Sequence, residues 1–161
     1  MQRQMLAAWV GMTAVVWVLV GCETASAPAD IGTTVPLTIT KIHRGNDAGL
    51  PAYEVVLVNS QEELEALGST DLVKQDIDFT NVSLVVFSLG EQPTGGYWAY
   101  INSVQIRGDD LYVQGVANQP GPNDMVAQVL TYPLCAVEIE KVYAARVHPE
   151  IETIIGQPKP R

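Results

Sequence analysis

Two histidines and two cysteines are the residues of this chain best suited to nucleophilic or general-base chemistry. A nucleophilic cysteine needs a base within hydrogen-bonding reach, and histidine is the usual base. His43 follows a predicted strand, His148 precedes Pro149, and neither stands at a spacing typical of a catalytic or metal-binding motif. Cys135 belongs to an apolar set along a predicted strand, which places its thiol on the apolar face. Cys135, Val137 and Ile139 alternate there with Ala136, Glu138 and Glu140. We therefore interpret both histidines as incidental surface residues and Cys135 as a core residue.

Two close pairs of aspartates could supply oxygen ligands to calcium: Asp76 with Asp78, and Asp109 with Asp110. An EF-hand loop also needs oxygens at several fixed positions and a glutamate at the end of the loop, and neither pair has that continuation. The sequence also lacks a phosphate-binding Gly-Lys-Ser/Thr loop, a His-Glu-x-x-His zinc motif and a Gly-x-Ser-x-Gly nucleophile turn. We predict no metal site, no cofactor and no catalysis.

The N-terminus combines a basic residue, an apolar run and a cysteine in the order of an export signal. Arg3 precedes an apolar run over residues 5–20, which is shorter than the roughly 20 residues that cross a bilayer as a helix. The run ends in Leu19-Val20-Gly21-Cys22, which resembles the bacterial lipobox. This resemblance implies that residues 1–21 are a signal peptide and that Cys22 becomes the lipid-bearing N-terminus. The alternatives are an ordinary cleaved signal and a retained helical anchor.

The lipobox therefore predicts an exported bacterial lipoprotein of the cell envelope. Acyl chains such as palmitate on Cys22 would hold it to the inner membrane, the outer membrane or the outer surface, and two or more chains anchor stably. With Cys22 acylated, Cys135 has no partner for an intramolecular disulfide.

Charge limits the other partners of the exported chain. The formal net charge is −9, and Arg3 is the only charged residue of the signal, so the remaining chain carries 8 basic and 18 acidic residues, or −10. Nucleic acids and anionic lipid headgroups both select basic surfaces. We expect no nucleic-acid partner and assign membrane contact to the lipid alone.

Short strands must position these residues. Residues 22–35 are rich in Ala, Ser, Thr and Pro without apolar periodicity, which predicts a flexible tether to a single domain over residues 36–161. About seven strands are predicted by apolar runs and alternation, at residues 37–42, 53–58, 82–89, 97–106, 111–116, 125–130 and 135–142. One short helix begins at Ser60, which forms a capping box with Glu63, and ends at Gly68.

These elements predict a mainly β fold, an antiparallel β-sandwich or a partly open barrel with one short helix. The run over residues 82–89 is almost entirely apolar, which predicts a central strand covered on both faces. The tail from Ala144 contains three prolines, and we expect it to wrap around the domain or fray.

One connector after this central strand has an unusual composition. Proline fixes one backbone angle, two glycines permit conformations closed to other residues, and two large aromatic rings follow, one on each face of the sheet. The segment is either a tight strand connector or a rigid loop that offers backbone donors and an aromatic ring to a partner. Its candidate partner-binding residues are Pro93, Thr94, Gly95, Gly96, Tyr97 and Trp98.

The order of several motifs resembles the PrcB C-terminal domain family. The central strand is followed by Pro93-Thr94-Gly95-Gly96-Tyr97, a hairpin and Pro120-Gly121, and then by Thr131-Tyr132-Pro133 leading into Val137-Glu138-Ile139-Glu140-Lys141. Ser60-Gln61-Glu62-Glu63-Leu64 fits the short helix that this family places upstream. The resemblance covers about residues 52–143.

This resemblance implies a small, mostly β domain of exported bacterial lipoproteins. The family's named member associates with a surface protease and stabilises it, and its members are generally not credited with catalysis. We therefore expect a lipid-anchored, non-catalytic envelope domain that binds another protein, such as an exported protease.

Two alternatives have weaker support. The segment from Gln92 to Trp98 is similar to the Asn-Pro-Thr-Thr-Gly-Tyr loop with which chagasin-like inhibitors fill the cleft of cysteine peptidases, although Gln92 and Gly95 depart from that motif. An enzyme or ligand carrier with an unrecognised site would instead gather His43, His148 or several carboxylates in one deep pocket.

Overall fold

The computed structural model describes residues 33–160. That range contains eight strands, one α-helix and one short 3₁₀ turn at Leu72–Lys74. The elements are β1 (Thr34–Leu37), β2 (Ile39–Asn46), β3 (Tyr53–Val58), α1 (Gln61–Leu67), β4 (Val82–Leu89), β5 (Trp98–Arg107), β6 (Asp110–Gln119), β7 (Pro133–Glu140) and β8 (Arg146–Ile155). The predicted signal peptide, Cys22 and most of the predicted tether lie outside the described residues.

The strands form two four-stranded sheets that pack face to face. One sheet has the order β1-β5-β6-β8 and the other β2-β7-β4-β3, and neither closes into a barrel. Every neighbouring pair is antiparallel except β6 and β8, which run parallel with Asp110 opposite Arg146. The prediction of a mainly β sandwich is confirmed.

β4 shows why an unbroken apolar run predicts a central strand. Val85 and Phe87 point between the sheets into the main core, whereas Leu84 and Val86 point to the opposite face. That face is covered by α1, whose Leu64 is fully buried in a second apolar cluster. Both faces of β4 therefore lie against protein, as predicted.

The helix has the caps that its sequence predicts. The Ser60 hydroxyl accepts a hydrogen bond from the Glu63 N–H at 3.1 Å, and Gly68 ends the helix with φ +88°. The Glu63 carboxylate accepts from the Asn59 N–H, one residue before the position that a capping box would use. α1 thus starts and stops where local chemistry dictates.

Three segments differ from the sequence predictions. Residues 125–130 are an irregular loop and not a strand, and the tail contains β8, ten residues long, where we expected wrapped or frayed chain. β8 contains Pro149, whose missing N–H is tolerated because β8 lies at a sheet edge. β1 begins at Thr34, two residues inside the range predicted for the tether.

No α-helix within residues 33–160 has the length and apolar character needed to span a bilayer.

Candidate functional site

The predicted binding loop lies at one end of the sandwich, which we call the loop end. β2, β4, β6 and β8 finish there, and β5 and β7 start there, as the strand registers require. The opposite end, which we call the hairpin end, carries Thr34 and the β5–β6 turn at Gly108. The loop end therefore collects segments that are far apart in the sequence.

Two of these segments are joined by backbone hydrogen bonds. Gln92 and Thr131 form an isolated bridge, with N–H to C=O distances of 2.7 and 3.0 Å in the two directions. The Gly95 N–H donates to the Ala127 carbonyl at 2.8 Å, and the Thr131 hydroxyl donates to the Thr94 carbonyl at 2.8 Å. The 92–97 loop and the 120–131 loop are therefore held against each other as a unit.

The two adjacent glycines of the motif have different roles. Gly96 has φ +88°, and an added Cβ would lie 2.8 Å from Val126 Cγ1 and 3.0 Å from Pro120 Cβ. An added Cβ on Gly95 would lie 3.5 Å from Ala127, at ordinary contact distance. The geometry of the turn therefore requires glycine at position 96 and not at position 95.

The two aromatic residues of the motif support the scaffold more than they present rings to solvent. Trp98 is only 8% exposed, and its indole N–H donates to the Gln157 carbonyl at 3.1 Å. Tyr97 is half-buried and packs against the core between the sheets. The expectation that Trp98 offers its ring to a partner does not fit this burial.

Pro93 of the motif is exposed, and three large apolar side chains of the 120–131 loop also face solvent. Met125 is fully exposed, and Val129 and Leu130 are each more than half exposed. Met125 and Trp98 also line an open cavity of about 660 Å³. Sequence reasoning missed this surface because the apolar residues of 125–130 predicted a strand.

The C-terminal tail forms part of the same end. The Gly156 N–H donates to the Gln119 carbonyl at 2.9 Å, and the Gln157 N–H donates to the side-chain oxygen of the buried Asn118 at 3.1 Å. Further along, the Arg44 guanidinium donates to the Pro160 carbonyl at 2.9 Å. These contacts fix the tail beside the 92–97 loop.

Asp47, which follows β2, ties the loop end to the helical layer. It is 1% exposed, and its carboxylate accepts five hydrogen bonds, from the N–H groups of Gly49, Thr70 and Asp71 and from the hydroxyls of Ser69 and Thr70. Burial alone would raise the pKa of this carboxyl, but the hydrogen bonds lower it from 3.8 to about 2. The Asp47 N–H also donates to the Tyr132 carbonyl at 2.9 Å, which anchors the chain leading into β7.

The groups with catalytic potential do not converge. His43 Nε2 lies 2.7 Å from Glu138 Oε1 on one sheet, whereas His148 Nε2 lies 3.3 Å from Asp110 Oδ2 at the hairpin end. His43 is only 9% exposed, so its interpretation as an incidental surface residue is wrong: the ring is covered and paired. No group of three or more metal-ligating side chains occurs in the described part of the chain.

Cys135 is the core residue that its strand predicts. It is fully buried on the face of β7 that points between the sheets, and this burial raises the pKa of its thiol. A raised pKa keeps the sulfur in the protonated form, which is a poor nucleophile.

Comparison with known proteins finds a match to one protein family. Residues 83–140 match the family described as PrcB C-terminal. No curated protein sequence matches the chain, and no solved structure does either. The matched range is narrower than the resemblance drawn from the motifs, because it starts inside β4 and leaves α1 outside. The matched residues run from β4 through the 92–97 and 120–131 loops to the end of β7. Residues 83–140 therefore match the PrcB C-terminal family, as the order of the sequence motifs predicts.

Proposed function

We propose that this protein is a lipid-anchored, non-catalytic domain of the bacterial cell envelope that binds another exported protein through its loop end. The single observation that carries the proposal is the exposed apolar surface of Met125, Val129 and Leu130 on a loop that hydrogen bonds hold in place.

Exposed apolar residues that are scattered singly need no explanation, but a cluster on one surface indicates a site of association. Here the three side chains fall within six residues of one loop, and Met125 also lines an open cavity. The loop is tied through Ala127 and Thr131 to the 92–97 loop, so little order is lost when a partner binds. A prearranged apolar surface of this kind favours binding of a protein.

The class of the partner protein is proposed from the family match. The PrcB C-terminal match supports a role related to the stability of a protease. The side chains also favour binding over catalysis. Cys135 is buried in the core, and His43 and His148 lie on different parts of the domain. We propose an exported protease as the partner.

Capture of the partner from crosslinked cells tests the binding surface. The tagged full chain should recover a reproducible partner, and the double variant Met125→Glu with Val129→Glu should lose it, because two charges would have to be buried at the contact. Both side chains face solvent, so the variant should keep the melting temperature of the wild type.

Tyr143→Glu is the matched control, because Tyr143 is also an exposed large side chain but follows β7 near the hairpin end. The control should recover the same partner as the wild type. An unchanged set of partners in the double variant would reject the loop end as the binding surface.

The capture also separates the inhibitor alternative from the stabiliser. An inhibitor loop must enter a cleft, yet the 92–97 loop is hydrogen-bonded to the 120–131 loop, and Trp98, which follows it, is buried. A captured cysteine peptidase that loses activity in the complex would favour inhibition, whereas a captured protease that keeps activity and gains half-life supports stabilisation.

The anchor is tested at Cys22. We expect the wild-type chain to incorporate radiolabelled palmitate and to sediment with membranes, and Cys22→Ala to do neither, since the acylated thiol supplies membrane affinity. Because Cys22 precedes the described residues 33–160 in the sequence, we expect Cys22→Ala to leave thermal unfolding unchanged. Membrane association of Cys22→Ala equal to the wild type would overturn the lipid anchor.

A further inference from the structure

We propose that a groove beside the 92–97 loop receives an extended, acidic segment of the partner protein. This inference rests on the proposed function, because it adds a second contact to the same end of the domain.

The groove consists of two adjoining cavities at the end of β2. Their volumes are about 330 and 320 Å³, and both are lined by Gly45 and Leu134. The first is also lined by the loop residues Gly95–Ala99 and by Lys159, and the second by residues of the 3₁₀ turn such as Lys74. We call this pair of cavities the β2 groove.

Gly45 keeps the β2 groove open. A Cβ added at this position would have no atom within 4 Å, and Gly45 is not among the glycines with positive φ. The fold therefore does not need glycine at position 45, in contrast to Gly96. The missing side chain leaves a passage between the two cavities.

The lining of the groove is basic although the domain is acidic. Residues 33–160 contain 16 acidic and 7 basic residues, and three of the basic ones, Arg44, Lys74 and Lys159, line the groove. Asp71 is the only acidic residue among the lining residues. Its ion pair with Lys74, at 3.2 Å, is well exposed and holds that lysine only weakly. A carboxylate-bearing partner is therefore drawn to this part of the surface.

The shape favours an extended chain over a helix or a single small molecule. Each cavity is at the small end of the range for ligand sites, about 300 to 1,000 Å³, which suits one or two side chains. A chain that crosses Gly45 can place a side chain in each cavity. β2 is also the edge strand of its sheet, and such edges accept backbone hydrogen bonds from an added extended segment.

Selection of peptides tests this inference. The full chain, purified in detergent, is presented with a phage-displayed library of random dodecapeptides, and selected peptides are synthesised for binding by fluorescence polarisation. We expect peptides rich in Asp and Glu. Gly45→Trp should weaken their binding at least about tenfold, because the ring fills the passage without straining the backbone. Lys159→Glu should weaken it similarly by charge repulsion.

Val35→Trp is the matched control, since it adds the same ring at an exposed residue of β1, in the other sheet, and Val35 lines neither cavity. It should bind the selected peptides as the wild type does. An absence of acidic peptides, or equal binding by Gly45→Trp, would overturn the groove as an acidic-segment site.

Partner capture with the same variants separates the two proposals. A partner that is retained by Gly45→Trp and lost by Met125→Glu with Val129→Glu would remove the groove and leave the proposed function. A partner retained by the double variant would remove the proposed function itself.

Discussion

We expect Asp47→Ala to lower the free energy of unfolding by on the order of 3 kcal/mol, one of the two largest effects predicted for this protein. The substitution removes the acceptor of five hydrogen bonds. Asp47 is almost fully buried, so the donors in the helical layer, such as Ser69 and Thr70, would be left without an acceptor. Urea unfolding followed by tryptophan fluorescence measures the change.

Asp78→Ala is the matched control for the loss of an aspartate. Asp78 is also hydrogen-bonded to a backbone N–H, that of Thr80, but it is exposed, so water replaces the lost partner. It should change stability far less than Asp47→Ala does. Equal losses in the two variants would show that burial of Asp47 does not matter.

The pH dependence of stability follows from the same carboxylate. The folded pKa of about 2 lies below the ordinary value of 3.8, so the native state favours the ionised form. The resulting stabilisation, roughly 2 kcal/mol, is fully present above about pH 4 and is lost as the pH falls towards 2. Asp47→Asn should unfold with a flatter dependence on pH in this window. The same slope in both proteins would contradict the assignment.

We expect Gly90→Ala to destabilise the domain by on the order of 3 kcal/mol and to reduce partner capture. Gly90 has φ +67°, and an added Cβ would lie 2.7 Å from the Pro51 carbonyl oxygen and within 2.9 Å of backbone atoms of Ala52 and Tyr53. Backbone atoms cannot rotate away as a side chain can. The chain leaving β4 would have to move, and with it the 92–97 loop.

Gly95→Ala is the control that isolates this backbone requirement. The added methyl group meets Ala127 at 3.5 Å and needs no left-handed backbone. Its melting temperature should stay close to that of the wild type. If Gly90→Ala were as stable as Gly95→Ala, the strain at position 90 would be refuted.

Local patterns predicted the parts of the fold in which chemistry and position agree. The apolar run of β4, the alternation around Cys135 and the caps of α1 at Ser60 and Gly68 each depend on neighbours in the sequence, and each is present in the structure. The 92–97 loop was also found at the end of the sandwich, because glycine and proline between two strong strands predict a connector.

Features that depend on distant segments were not predictable in this way. Nothing near His43 in the sequence indicates Glu138, and nothing near Asp47 indicates Ser69 and Thr70, yet these partners decide whether the side chain is buried. The 125–130 segment has the composition of a strand but pairs with no strand, so Met125, Val129 and Leu130 remain exposed. Apolar side chains that are exposed, although their composition is typical of a strand, are what identify the candidate surface.

The strand pairing also limits how far the candidate surface can travel. Thr34 pairs with Arg107, so the chain enters at the hairpin end, one strand length from the loop end at Trp98. That length is about 33 Å for a strand of ten residues, and residues 22–34 at full extension add about 40 Å. With Cys22 in the bilayer, as proposed, the loop end searches a layer within about 75 Å of the membrane. Confinement to so thin a layer raises the effective concentration of two membrane-held partners. A contact too weak to persist in dilute solution would therefore stay occupied at the membrane. Release from the lipid would then dissociate the complex although the contact surface is unchanged.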